Sequence, residues 1–175
     1  MYEVDERDRV VELKDVPQSS VGAPIPYVLA DEHRVVIAYY LEESDPAWDG
    51  STVRIVSPSS TGESIAIVRF NLCCVHMFGP PNDEAFHGHP LSKRGLHPYG
   101  AFRIEESSWI RNLERRNSVH RFHRPERYWK LQHLVFAFHD STFECVCDGF
   151  DVRTTRGSIV GAIPEMLRLL RHDGS

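Results

Sequence analysis

KLQHLVFAFHDSTFECVCDGFDVRTT, residues 130–155, is the stretch that decides the fold. Placing Asp140-Ser141 at a two-residue turn pairs Phe138 with Phe143, Phe136 with Cys145 and Leu134 with Cys147, so one face carries six apolar side chains. The other face sets His139 against Thr142, Ala137 against Glu144, Val135 against Val146 and His133 against Asp148. It is polar at both ends and apolar in the middle. A slip of one residue would mix Phe with Glu on each face, which selects this hairpin over its immediate neighbours.

Working outward, residues 34–41 (RVVIAYYL) and 64–77 (SIAIVRFNLCCVHM) are apolar at both parities and rich in β-branched and aromatic side chains, the pattern of central strands. YVLADEHRVV reads as a hairpin turning near Asp31-Glu32, and TVRIV at 52–56 as a shorter strand. Between them and the central hairpin lies GPPNDEAFHGHPLSKRGLHPYG, residues 79–100, dense in Gly and Pro; Phe86, Leu91, Leu96 and Tyr99 argue that this loop is pinned to the body. Ser107 or Ser108 can cap a helix over 108–119, with Trp109, Ile110 and Leu113 on one stripe. Pro164 suits the first turn of a second helix over 164–171, whose end carries Arg168, Arg171 and His172 at the favourable pole of the helix dipole. The expectation is an α+β fold: a mainly antiparallel curved sheet or partly closed barrel with two short helices, in one domain spanning 1–175.

With 175 residues and 41% hydrophobic content, the chain can bury a sizeable core without disulfides. No run approaches the roughly 20 apolar residues of a membrane-spanning helix, and the first ten residues, MYEVDERDRV, are charged, so a cytoplasmic protein away from the membrane is expected. Net charge is −5 but unevenly placed: residues 1–50 hold twelve acidic and four basic side chains, whereas residues 103–130 hold eight basic and four acidic. The basic stretch, interleaved with Phe102, Trp109, Phe122, Tyr128 and Trp129, could serve nucleic acid, but its own Glu105, Glu106, Glu114 and Glu126 offer pairing partners and the chain as a whole is acidic.

Eight of the ten histidines fall between His76 and His139. His87-x-His89 has a loop ligand spacing, and His120-x-x-His123 and His139 could add imidazoles, giving a candidate site for zinc, manganese or iron. His139, Glu144 and Asp140 form a candidate acid–base cluster at the end of the hairpin, since a carboxylate beside an imidazole fixes its tautomer. Asp140-Ser141-Thr142 is first a turn sequence rather than a nucleophile, because no nucleophile elbow frames Ser141. Phosphate-loop, dinucleotide and HEXXH signatures are absent.

Three functions are compatible with these residues. The leading one is a non-catalytic binding or accessory protein for an unspecified ligand or protein partner, with a His-rich polar site in loops 79–100 and 120–128 and in the hairpin 132–150. A divalent-metal-dependent hydrolase built on the same histidines with Glu144 or Asp140, and a nucleic-acid-associated factor using 103–130, are the alternatives. The cysteines, as Cys73-Cys74 and Cys145-x-Cys147, match no zinc-knuckle or secreted disulfide spacing. All four are expected to be reduced, and thiol titration of the denatured, unreduced chain should count four.

Overall fold

The computed structural model describes residues 2–43 and 55–171. The strands are β1 (Arg9–Glu12), β2 (Tyr27–Ala30), β3 (Val35–Tyr40), β4 (Glu63–Asn71), β5 (Val75–Gly79), β6 (Gly100–Glu105), β7 (Gln132–Ala137), β8 (Thr142–Cys147) and β9 (Gly149–Gly157). The helices are α1 (Ser108–Asn117), α2 (Glu126–Trp129) and α3 (Ile159–Arg171). The fold is α+β with two antiparallel sheets, ordered β1-β6-β7-β8-β5 and β2-β3-β4-β9, and no closed barrel. The expected strand over 52–56 begins outside the described residues, and Ile55 and Val56 belong to no strand. His172 also lies outside them.

The two sheets face each other across a core in which alternate residues of four strands meet: Val35, Ile37 and Tyr39 from β3, Ala66, Val68 and Phe70 from β4, Leu134 and Phe136 from β7, and Phe143, Cys145 and Cys147 from β8. The opposite parity of β3 and β4 faces α3, where Val36, Ala38, Tyr40, Ile65 and Ile67 pack on Ile159, Ala162, Met166 and Leu169. The outer face of the larger sheet is covered by Trp109 of α1, by Tyr2, and by Phe86, Leu91 and Leu96 of the 79–100 loop. Three of the four residues expected to pin this loop, Phe86, Leu91 and Leu96, do so, whereas Tyr99 lies outside that core and donates to Asp83.

Both central strands are buried on two faces, which explains why their sequences are apolar at both parities. The stretch 64–77 is not one strand, however. β4 pairs with β9 through Asn71↔Gly149, and β5 resumes with β8 at Val75↔Val146, so Leu72, Cys73 and Cys74 face two residues, Cys147 and Asp148. This one-residue bulge, with Leu72 at φ +46°, bends both strands from one sheet into the other. Ladder bonds close on either side of it, from Asp148 N–H to the Asn71 carbonyl and from Cys74 N–H to the Val146 carbonyl. The tail of the expected long hairpin, residues 149–157, consequently pairs with β4 rather than extending the ladder with the first arm of the hairpin.

The central hairpin itself differs from the expected register by two residues. Its pairs are Phe136↔Phe143, Val135↔Glu144 and Leu134↔Cys145, and Phe138 N–H bonds the Ser141 carbonyl at 2.8 Å, so His139 and Asp140 occupy the turn. Because the shift is even, each side chain keeps its face, and Leu134, Phe136, Phe138, Phe143, Cys145 and Cys147 all lie in the core. What changes is the neighbour of Glu144, which moves one pair away from the turn.

The first expected helix begins as read, with the Ser107 hydroxyl accepting the Ile110 N–H, but it ends at Asn117, where Ser118 turns back onto the Arg115 carbonyl. The second is longer than 164–171, for Pro164 is its sixth residue. The preceding turn is tied down externally. Ile159 N–H donates to the Tyr40 hydroxyl, Val160 N–H to the Pro58 carbonyl, and Gly161 N–H to the Ser158 hydroxyl, so the helix is anchored upstream of the bond that proline lacks. The four-residue α2 is a further helix that the sequence reading did not resolve. Among the described residues no helix is long and apolar enough to cross a membrane.

Phe138 is buried and sits 5.1 Å, ring to ring, from Tyr39 of the facing sheet. Phe138→Ala should destabilise the protein by about 3–5 kcal/mol in a reversible denaturant titration, as truncation of a packed aromatic does.

Candidate functional site

Val135↔Glu144 pairing puts His133 diagonally beside Glu144 on the outer face of the larger sheet, and the covering segments then close over both. Glu144 Oε1 accepts from His89 Nε2 at 2.7 Å; Oε2 accepts from the Tyr2 hydroxyl at 2.7 Å and from His133 Nε2 at 3.0 Å. The far ring nitrogens fix the tautomers. Leu91 N–H donates to His89 Nδ1 at 3.1 Å; burial disfavours charge on His133, so with its proton on the Nε2 that faces Glu144 its Nδ1 accepts from the Ser107 hydroxyl 2.9 Å away. Both imidazoles are therefore neutral Nε2–H donors, and three neutral groups surround one carboxylate.

Burial alone would raise the Glu144 carboxyl, but hydrogen bonds from His133 and His89, and the charge these rings carry when protonated, outweigh it and hold it at about 2. Burial pushes His133 below its usual range. Burial next to Glu144 raises Tyr2, which keeps its hydroxyl proton to donate. Trp109 stacks on Tyr2 at 5.0 Å and meets His133 edge-on at the same distance, sealing the network from one side. On the other side Glu144 and His89 reach a pocket of about 310 Å³ walled by Met77, Phe78, Pro80, Pro81 and Pro90.

A second polar cluster lies at the hairpin turn, and none of its side chains lines this pocket. His139 lies 3.0 Å from Asp140, whose hydrogen bond raises its pKa; Tyr99 donates to Asp83, and Asp83 N–H donates to the His139 carbonyl. Tyr99 is pushed up to about 12 by that bond to Asp83. His139 is thus bound to Asp140 rather than to Glu144.

The remaining candidate histidines have other partners. His87 is exposed, and its carbonyl accepts from the Ser92 hydroxyl. His120 is exposed and accepts the Phe122 N–H on Nδ1. His123 Nε2 contacts Glu114 at 2.6 Å, pinning the 118–125 turn to α1. Among the described residues no three His, Cys, Asp or Glu side chains form a group that could hold a metal ion. Of the candidate ligands and acid–base residues, His89 and Glu144 meet each other, along with His133, Tyr2 and Ser107, which the sequence reading did not place at the site, while His139 and Asp140 meet at the turn apart from Glu144. His133 was findable, since it shares the parity of Glu144; Tyr2 carries no local signal, lying 142 positions away.

The 120–128 loop faces a different space. Between α1, α2 and the strand bulge runs a groove of about 1070 Å³ that shares no lining residue with the smaller pocket. Leu113, Leu131 and Leu72 line it together with Phe122 and Tyr128, and Arg116, Arg124, Arg127 and Lys130 project around it. Leu72 and Phe122 are 65% and 63% exposed, and Trp129, beside Tyr128 in the chain, is 74% exposed. Those four cations make no side-chain hydrogen bond or ion pair among the described residues. Elsewhere Arg9 and Arg103 share Glu105, Arg111 meets Asp5, Arg156 meets Glu43, and Arg168 meets Glu165. Of the four acidic residues of 103–130, Glu105 is spent on Arg9 and Arg103 and Glu114 on His123, while Glu126 lines the groove. Compared with protein-family models, curated proteins and solved structures, the chain matches none.

The Glu144 network should make the protein acid-labile. His133 sits below its usual 6.5 and Glu144 below its usual 4.5, so for both groups the unfolded chain takes up protons first and stability falls as pH falls. The loss begins below about pH 6.5 and continues as Glu144 titrates toward about 2. Glu144→Gln, which turns an amide toward N–H and O–H donors, should cost about 1–3 kcal/mol at neutral pH and flatten the acid limb of a stability-against-pH curve.

Proposed function

We propose that this protein is a non-catalytic binding or accessory protein, and that its partner-binding face is the groove between α1, α2 and the Leu72–Cys74 bulge. The occupant is an acidic segment of a partner protein that also carries apolar side chains. The observation that carries this reading is the set of four unpaired cations, Arg116, Arg124, Arg127 and Lys130, around an apolar floor. The exposed leucine and phenylalanine side chains Leu72 and Phe122 line the same groove, and such a patch is costly to leave in water without a use.

Charge decides the chemistry of the occupant. Anionic groups on the partner would complete the ion pairs that the groove lacks, while its apolar groups would cover Leu72, Leu113 and Phe122. Nucleic acid fits less well: Glu126 and Asp148 stand within the groove, and a phosphate backbone carries a charge at every nucleotide, whereas a peptide of mixed composition can place apolar residues opposite them. Arg121 already covers the Phe122 ring at 4.2 Å, occupying a face that a base would stack on.

A fluorescent peptide alternating Glu or Asp with Leu and Phe should bind the full chain, with affinity that falls as salt is raised. Arg124→Glu with Arg127→Glu should weaken it by about ten-fold or more, roughly the effect of losing two rim ion pairs and gaining two repulsions. Both arginines are exposed, so the unfolding midpoint should not move. Equal binding by the double variant, or tighter binding of a single-stranded oligonucleotide than of the peptide, would refute the proposal.

A further inference from the structure

Glu144 is an ionised carboxylate, 7% exposed, with no Lys or Arg among the groups that act on it. Its three donors are neutral, so the network satisfies hydrogen bonds but leaves a net charge of minus one inside the protein. Holding an unpaired charge out of water costs several kcal/mol even when it is well hydrogen-bonded. A carboxylate has about four acceptor positions, and three are filled. Oε2 holds two donors, Tyr2 and His133, and neither residue lines the pocket. Oε1 holds one donor, His89, which does line it. The unfilled position therefore belongs to the oxygen on the pocket side.

Around that oxygen the pocket is apolar, with Met77, Phe78, Pro80, Pro81 and Pro90 as walls, and the Thr142 hydroxyl turned away to the Pro81 carbonyl at 2.9 Å. Its volume, about 310 Å³, is at the small end of the range for ligand sites. We propose that this pocket binds a small organic ammonium: one N–H of the cation bonds Glu144 Oε1 and the compact hydrocarbon body lies against Met77, Phe78 and the prolines. A hard divalent ion would need six or more oxygen ligands, whereas the pocket offers one free carboxylate position and hydrocarbon walls. A carboxylate or phosphate ligand would meet Glu144 with like charge. The low pKa of Glu144 keeps the site anionic throughout the neutral range. This site shares no residue with the groove and stands whether or not the groove binds a partner.

Isothermal titration of the full chain with phenethylamine and isoamylamine, against phenethyl alcohol and isoamyl alcohol, tests it. At least one amine should bind saturably, and about ten-fold or more tighter than its alcohol, the discrimination expected when a desolvated charge pair is lost. Glu144→Gln should abolish the difference between amine and alcohol. Because that variant removes the anchor of the network and can unfold, Gly88→Phe is the second test: Gly88 lines the pocket and a Cβ there meets no atom within 4 Å, so a ring added at the pocket wall has room and should compete with the ligand for its volume. Amine binding should be lost in it with the unfolding midpoint retained. The proposal is overturned if neither amine binds, if amine and alcohol bind alike, if Gly88→Phe binds amine as the parent does, or if zinc chloride binds the site more tightly than either amine.

Discussion

One carboxylate ties together three segments that are distant in sequence. Glu144 lies on β8, yet the groups that satisfy it come from Tyr2, from His89 in the 79–100 loop and from His133 on β7. The loop has little regular structure, so its placement depends on Phe86, Leu91 and Leu96 in the outer core and on the His89 bond beneath them. Without the carboxylate, two imidazoles and a phenol would be left as buried polar groups, and burial without partners is the expensive alternative. The Leu91 N–H and the Ser107 hydroxyl extend the same network one step further, holding each ring in the tautomer that serves Glu144.

The bulge at Leu72–Cys74 has consequences on both sides of the molecule. Inward, it places Cys73 in the core beside Cys145 and Cys147, three free thiols acting as small apolar side chains. Outward, it exposes Leu72 and presents Cys74 and Asp148 to the groove. A straight strand would have continued one sheet; the extra residue lets two paired strands serve both sheets, and the groove lies where they bend.

Charge is distributed in a way that composition alone conceals. The acidic excess of the chain and the cationic groove coexist because most of the other arginines are matched locally by carboxylates, as in Arg9–Glu105–Arg103 and Arg153–Glu165–Arg168. Exposed pairs of this kind contribute little to stability. The four groove cations stand outside such pairs, on a face where the 118–125 turn is fixed by the His123–Glu114 contact rather than by the arginines themselves.

Periodicity alone determined a great deal: the two-faced burial of Val35–Tyr40, the core face of the central hairpin, the Ser107 cap and the apolar residues that hold the 79–100 loop. These follow from which side chains can leave water, a property of each residue and its parity. The register of the hairpin was legible only modulo two, because an even shift conserves both faces, and that ambiguity hid the proximity of His133 to Glu144 while favouring His139. Nor could a local pattern show the bulge, since Leu72-Cys73-Cys74 is as apolar as the strands it separates. Tertiary structure alone decided that Tyr2 and His89 meet Glu144, and that four arginine and lysine side chains find no carboxylate. Both depend on which distant segments share a surface, and that is settled by the packing of three cores at once rather than by any one stretch of chain.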